Sequence, residues 1–167
     1  MNETYIQAIG FVALAVNLMG TSTVNDNKMR MLIFGSCFLF AIHYTLLGAV
    51  VAGANLFINS IRALVSIKYK TKTMFWSFLI GQTIISAYFY TGTEDLIPWF
   101  ASAINCYALF LCKGIRMRAA FLTGTMLWFV NAAVVGSYGG MINDAFNSTM
   151  LLLTIYRLNR SSKPQTA

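Results

Sequence analysis

Asn55-Leu56-Phe57-Ile58-Asn59-Ser60, NLFINS, sets two asparagines four residues apart inside a strongly apolar run. Eighty-eight residues later the pattern returns, with Asn143 to Ser148 reading NDAFNS. Positions i and i+4 share one face of a helix. Each pair therefore draws a polar stripe along an otherwise greasy helix, and its recurrence points to a duplicated unit.

Sliding the whole chain by 88 residues extends the match. Ile9 meets Ile97, Asn17 meets Asn105, Met29-Arg30 meets Met117-Arg118, Gly48 meets Gly136, and Asn59-Ser60 meets Asn147-Ser148. Thirteen identities fall between residues 5 and 70. Apolar chains match by chance, so the three Asn pairs, the shared Met-Arg and the shared glycine carry the weight.

The 167 residues are 57% hydrophobic and 10% charged. A soluble domain carries about 25% charged residues. With a mean hydropathy of +0.64, the composition predicts an all-α integral membrane protein. A transmembrane helix needs about 20 mostly apolar residues. Seven stretches qualify: 5–23, 29–48, 51–69, 74–91, 94–112, 117–136 and 139–158. The joints between them are short, so sequence neighbours pack antiparallel.

The basic residues alternate with the spans. Lys28 and Arg30 follow the first, Lys68, Lys70 and Lys72 the third, Lys113, Arg116 and Arg118 the fifth, and Arg157, Arg160 and Lys163 the seventh. The other joints hold no Lys or Arg, and one holds Glu94 and Asp95. The positive-inside rule makes the basic side cytoplasmic. This predicts a multi-pass membrane protein, with its N-terminus outside and its C-terminus inside. Four crossings separate the first span from the fifth, so the two copies point the same way. The expected architecture is 3+1+3: residues 1–72 as one three-helix repeat, 73–92 as a linker transmembrane helix, 93–160 as the second repeat, and 161–167 as a cytoplasmic tail.

The net charge of +7 does not point to nucleic acid, because the cations sit in short loops and form no basic stripe. Cys37, Cys106 and Cys112 lie in apolar segments without CxxC or Cys/His spacing, and His43 is the one histidine. No disulfide framework or metal site is expected. The start MNETYIQ lacks the basic region of a cleavable signal peptide. No nucleophile–base pair or paired carboxylates stand out, so neither an enzyme nor a cofactor is expected.

Asn59 lies about 12 Å into its span, near the middle of a ~30 Å hydrocarbon core. Asn147 matches it in the second copy. In parallel-repeat carriers the solute site lies near the midplane, between the repeats. An amide offers two donors and two acceptor lone pairs without charge, which suits a polar neutral solute that must also be released. Asn59 and Asn147 are the leading binding candidates, with Asn55 and Asn143 on the same stripes. The competing reading is that these amides bond neighbouring helices.

The copies also differ. His43 aligns with Asn131, Asp144 stands where the first copy has Leu56, and Arg62 where the second has Met150. Ionisable residues within a membrane default to function. Arg62 shares the Asn59 stripe, and its long stem favours snorkelling to the basic surface over pairing within a cavity. Asp144 is a coupling candidate that a position near the span end would also explain. His43 and Asn131 are candidate cavity residues, with hydrogen-bonded packing the preferred role for the histidine. Trp128 is deep enough to line a cavity or to pack. Pro98 aligns with Gly10; both weaken a helix, either as matched bending points for gating or, for Pro98, as a first-turn proline. Trp76, Tyr88, Tyr90 and Trp99 lie near span ends, as interfacial anchors do.

Three stretches, HYTLLGAVVAGANLFINSIRALVS (43–66), YALFLCKGIRMR (107–118) and VNAAVVGSYGG (130–140), together resemble the YgjV-like bacterial inner-membrane protein family. The likeness implies location and topology rather than chemistry. At greater distance, the 3+1+3 layout resembles the SWEET, PQ-loop and PnuC-type carriers. The SWEET pattern of matched asparagines on the third and seventh helices falls on Asn59 and Asn147, or less centrally on Asn55 and Asn143. The PnuC pattern of solute-stacking tryptophans touches only Trp128. SWEETs also place prolines in the first two helices of each repeat, and this chain keeps only Pro98.

Two functions follow. One is a transporter of a small polar neutral solute (sugar-, nucleoside- or vitamin-like) by alternating access, which requires a polar cavity at the level of Asn59 and Asn147. The other is a non-transporting membrane protein that binds a lipid or protein partner, with its amides tied to neighbouring helices and no cavity. The expected surroundings are the lipid bilayer and a small solute. At 18.5 kDa the bundle suits a monomer as well as a homo-oligomer.

Overall fold

The computed structural model describes residues 3–21, 26–112 and 114–161, and every regular element in it is helical. Seven α-helices follow one another: α1 (Glu3–Thr21), α2 (Asp26–Leu46), α3 (Val50–Lys68), α4 (Lys72–Tyr88), α5 (Leu96–Leu111), α6 (Gly114–Val135) and α7 (Tyr138–Ser161), with a 3-10 turn at Thr93–Asp95. Lys113, Lys163 and the tail beyond Ser161 lie outside the described residues.

α1, α3 and α6 are each long and apolar enough to cross a membrane, and α2 contains a shorter apolar stretch, Arg30–Leu46. The remaining expected spans fall short for local reasons. α4 and α5 hold only 17 and 16 residues. α7 is long, but Asn143, Asp144, Asn147, Arg157 and Arg160 dilute its apolar character.

Burial is inverted relative to a soluble protein. Val12, Ile84, Val134 and Leu152 are more than half exposed, while His43, Asn55, Ser60, Gln82 and Ser102 are fully buried. Water does not favour an apolar skin over a polar interior; hydrocarbon does. Trp76 and Tyr88 are also exposed, as interfacial aromatics would be.

The turns explain the antiparallel packing. After α2, Ala49 N–H donates to Tyr44 O (3.0 Å) and Gly48 N–H to Thr45 O (3.1 Å). After α6, Ser137 N–H donates to Ala132 O (2.9 Å) and Gly136 N–H to Ala133 O (3.3 Å). Both are Schellman stops, with φ of 87° at Gly48 and 75° at Gly136, a conformation open to glycine at little cost. The aligned glycines thus make the same turn 88 residues apart. α4 begins where Thr71 Oγ1 accepts from Met74 N–H (3.2 Å). Ahead of α5, Asp95 Oδ2 accepts from Thr91 N–H and Thr91 Oγ1, both at 2.8 Å.

α1 packs on α2 and α2 on α3; α5 packs on α6 and α6 on α7. Across the bundle α1 meets α7 and α3 meets α5, while α4 lies against α3 and α5. Ala13, Phe40, Tyr44, Leu56, Ala101 and Trp128 belong to the main apolar core. A smaller cluster of Phe75, Cys106 and Phe110 joins α4 to α5.

Candidate functional site

α1, α2 and α3 face α5, α6 and α7 across a cavity of about 590 Å³, and α4 contributes nothing to its wall. That volume is within the usual range for small-molecule sites. The cavity runs from Tyr44, Trp128 and Gly140 to Arg30 and Lys70 at the basic end.

Its polar wall grows from the two seams. Where α1 meets α7, Asn17 Nδ2 donates to Asn143 Oδ1 (2.7 Å) and to Asn147 Oδ1 (3.2 Å), and Asn143 Nδ2 donates to Asp144 Oδ1 (3.1 Å). Where α3 meets α5, Ser102 Oγ lies 2.8 Å from Asn59 Oδ1 and 3.0 Å from Gln82 Oε1. A hydroxyl has one proton to give. If Ser102 gives it to Asn59, a turned Gln82 amide can donate Nε2–H to Ser102 Oγ. Gln82 Nε2 otherwise has no partner. The two seams thus treat Asn59 and Asn147 alike. Each engages its carbonyl oxygen with the helix across the seam, and its Nδ2 group has no protein partner among the described residues.

Arg62 and Asp144 complete the wall, at 5% and 8% exposure. Arg62 does not snorkel to the basic surface as expected. Its Nη1 donates to Ser102 O (3.2 Å), so the long stem carries the guanidinium inward, to the seam with α5. The basic surface is already supplied by Lys68, Lys70 and Lys72 just beyond. Arg30 Nη1 bonds Ser66 Oγ beside the cavity mouth.

The end bearing the glycine turns is tightly closed. His43 is fully buried and bridges three helices: Nδ1–H donates to Ile6 O (2.8 Å), and Nε2 lies 2.7 Å from Ser137 Oγ. Since a carbonyl can only accept, the neutral ring takes its second bond from the serine hydroxyl. Ser137 Oγ in turn accepts from Gly140 N–H (3.1 Å). Gln7 Nε2 donates to Gly136 O (2.8 Å). α1 and α7 touch backbone to backbone, since a Cβ on Gly139 would lie 2.6 Å from the Gly10 carbonyl carbon.

Asn59, Asn143, Asn147, Trp128, Arg62 and Asp144 therefore meet in one cavity. Other expected site residues lie elsewhere. Asn55 bonds Ser86 Oγ of α4 (2.8 Å) and Val51 O (2.9 Å) through Nδ2, so it ties α3 to α4. His43 and Asn131 are buried outside the cavity. Gly10 is where the His43 ring rests against α1, 2.9 Å from the place of a Cβ. Pro98 is the third residue of α5. Its missing N–H is one that a first turn leaves without an intrahelical acceptor.

Sequence reading passed over Asn17, Ser102 and Gln82 as site residues. Asn17 carried a signal, its alignment with Asn105. Ser102 and Gln82 carried none, because single polar residues do not declare which face they occupy. Each reading meets part of its expectation here: the amides are bonded to neighbouring helices, and they nevertheless border a cavity, which the non-transporting reading did not expect.

A family model described as a bacterial inner membrane protein, Imp-YgjV, matches residues 4–162. The chain is 24% identical over 157 residues to the inner membrane protein YgjV of Escherichia coli (strain K12), covering 94% of this chain and 86% of that one. No solved structure matches.

Proposed function

Since the chain belongs to the Imp-YgjV family of bacterial inner membrane proteins, we propose that it is a carrier for a small polar solute of no net charge. It works by alternating access between two parallel three-helix repeats joined by α4. The observation that carries this reading is the cavity between the two helix triads, lined by Asn59 and Asn147. An amide donor on each opposite wall can bind a hydroxyl, carbonyl or carboxylate oxygen without an ion pair that would trap it.

The repeat reading draws on three observations. The Schellman turns recur at the same offset as the asparagines. α1 against α7 and α3 against α5 are the two seams a pseudo-twofold axis would relate. Asn147 and Asn59 also use their amides in the same sense at those seams. With the basic end cytoplasmic, as the positive-inside rule assigns it, the structure is the inward-facing state. The His43–Ser137 bridge and the Gly10–Gly139 contact then form the closed outer gate.

The test is uptake into proteoliposomes from a panel of sugars, nucleosides, vitamins and amino acids. Wild type should pass at least one of them saturably, and Asn59→Ala and Asn147→Ala should each slow it while the protein still folds. Folded protein that passes none of the panel would leave the non-transporting reading, a lipid- or partner-binding protein, in its place.

A further inference from the structure

Resting on that carrier reading, we propose that the solute is a small zwitterion of amino-acid type, its carboxylate bound by Arg62 and its ammonium by Asp144. Both side chains line the cavity from opposite triads and are more than nine-tenths buried. Neither forms an ion pair among the described residues. Arg62 donates to Ser102 O, and Asp144 accepts from Asn143 Nδ2. A guanidinium has five N–H donors; one nitrogen meets Ser102 O and the group also faces the Cys106 sulfur, which together leave donors over.

Ionisable groups buried without an ion-pair partner are costly, and in a membrane bundle such residues mark a solute or ion path. Their levels in the bundle also match. Asp144 is six residues into α7, and Ser102, which the guanidinium reaches, is six residues into α5, each about 9 Å from the glycine-turn end. Had Arg62 snorkelled, the two charges would lie at different depths. As folded, a guanidinium and a carboxyl group border the same space with no ion pair between them, and a solute carrying both opposite charges satisfies both at once.

A lone carboxylate would leave Asp144 uncompensated, and a lone amine would leave Arg62 so. The Nδ2 groups of Asn59 and Asn147 offer further donors to carboxylate oxygens. Trp128 on the same wall presents an aromatic surface, which attracts ammonium. Arg30 and Lys70 at the mouth favour entry by the carboxylate end. The bound solute neutralises the site and adds no net charge of its own, as a carrier for net-neutral cargo needs.

The test uses purified wild type in proteoliposomes with radiolabelled alanine, 4-aminobutanoate and glycine betaine as zwitterions. Propanoate and propylamine serve as half-molecules, and xylitol as an uncharged polar solute. At least one zwitterion should enter saturably, and neither half-molecule should enter or compete at the same concentration. Arg62→Gln and Asp144→Asn should each cut that uptake by about thirtyfold or more, as expected for removing one partner of a buried charge contact. Thermal unfolding in detergent checks that each variant is folded; if one is not, wild-type selectivity among the six solutes decides. Saturable xylitol flux without zwitterion flux would overturn the zwitterion assignment and leave the carrier standing, as would saturable flux of either half-molecule. Zwitterion uptake untouched by both folded variants would overturn the roles of Arg62 and Asp144. If none of the six enters, the zwitterion assignment falls; the wider solute panel then decides separately whether the carrier reading falls with it.

Discussion

Tyr44 meets Trp128 edge to face across the bundle, with 6.3 Å between ring centroids and 70° between ring planes. The pair joins α2 to α6 where the cavity ends, and both rings are almost fully buried. Removing the indole deletes this ring contact and enlarges the cavity it borders. Trp128→Ala should lower stability by about 3–5 kcal/mol, and Trp128→Phe by clearly less because a ring edge remains. Thermal unfolding in detergent measures both; equal losses would mean that the retained ring contributes nothing and that the effect belongs to features only the indole has.

Asn17 should matter more than its lack of charge suggests. Its amide satisfies oxygens on both Asn143 and Asn147. Asn17→Ala strands two acceptors at once and should cost about 1–3 kcal/mol. That exceeds the roughly 0.6 kcal/mol average for a hydrogen bond between membrane helices. A loss no larger than that average, in denaturant or thermal titration, would show that water or a rearranged Asn143 replaces the bond.

The paired turns make a symmetric prediction. Gly48→Ala and Gly136→Ala each force a Cβ into the left-handed region, at about 1–2 kcal/mol. Nothing lies within 4 Å of either added carbon, so backbone conformation alone sets the effect. The two losses should be alike; a clear inequality in unfolding midpoints would break the equivalence of the turns.

Gly139→Ala should loosen the closed end of the bundle, because its Cβ would press on the Gly10 backbone. Overpacking of this kind costs about 1–3 kcal/mol. α1 and α7 should separate, and a cysteine placed at Ser137 should gain reactivity toward a small thiol reagent. Unchanged reactivity would place the seal elsewhere.

The charge pattern assigns sides. With the three native cysteines replaced by alanine, a cysteine at Thr93 should react with an impermeant maleimide on intact cells, and one at Lys70 only after permeabilisation. The reverse labelling would invert the orientation and turn the cavity outward.

Much of this was legible in the residues, and the remainder was hidden for definable reasons. Helix positions followed from apolar run length and from Gly48 and Gly136, whose turn chemistry is local. That Asn59 and Asn147 would share a cavity followed from the 88-residue offset, which puts them at matching positions in α3 and α7. Asn55 was expected beside Asn59 but bonds Ser86 of α4, because α4 has no match in the 88-residue offset and nothing in the pattern said that Ser86 would be waiting for it. Arg62 was expected at the surface because sequence gives depth but not rotamer. Only the packed bundle offers Ser102 O as a partner on the inward side.

α4 packs on α3 and α5 and so braces one seam of the bundle. Asn55–Ser86 and the Ser102–Gln82 contact fasten it there. The α1–α7 seam has no bracing helix of that kind; it is held by the Asn17 cluster, the Gly10–Gly139 crossing, the Gln7–Gly136 bond and the His43 bridge. Relative motion of the triads would therefore resemble a book opened along its spine: small displacements beside α4, and wide ones at the far edge.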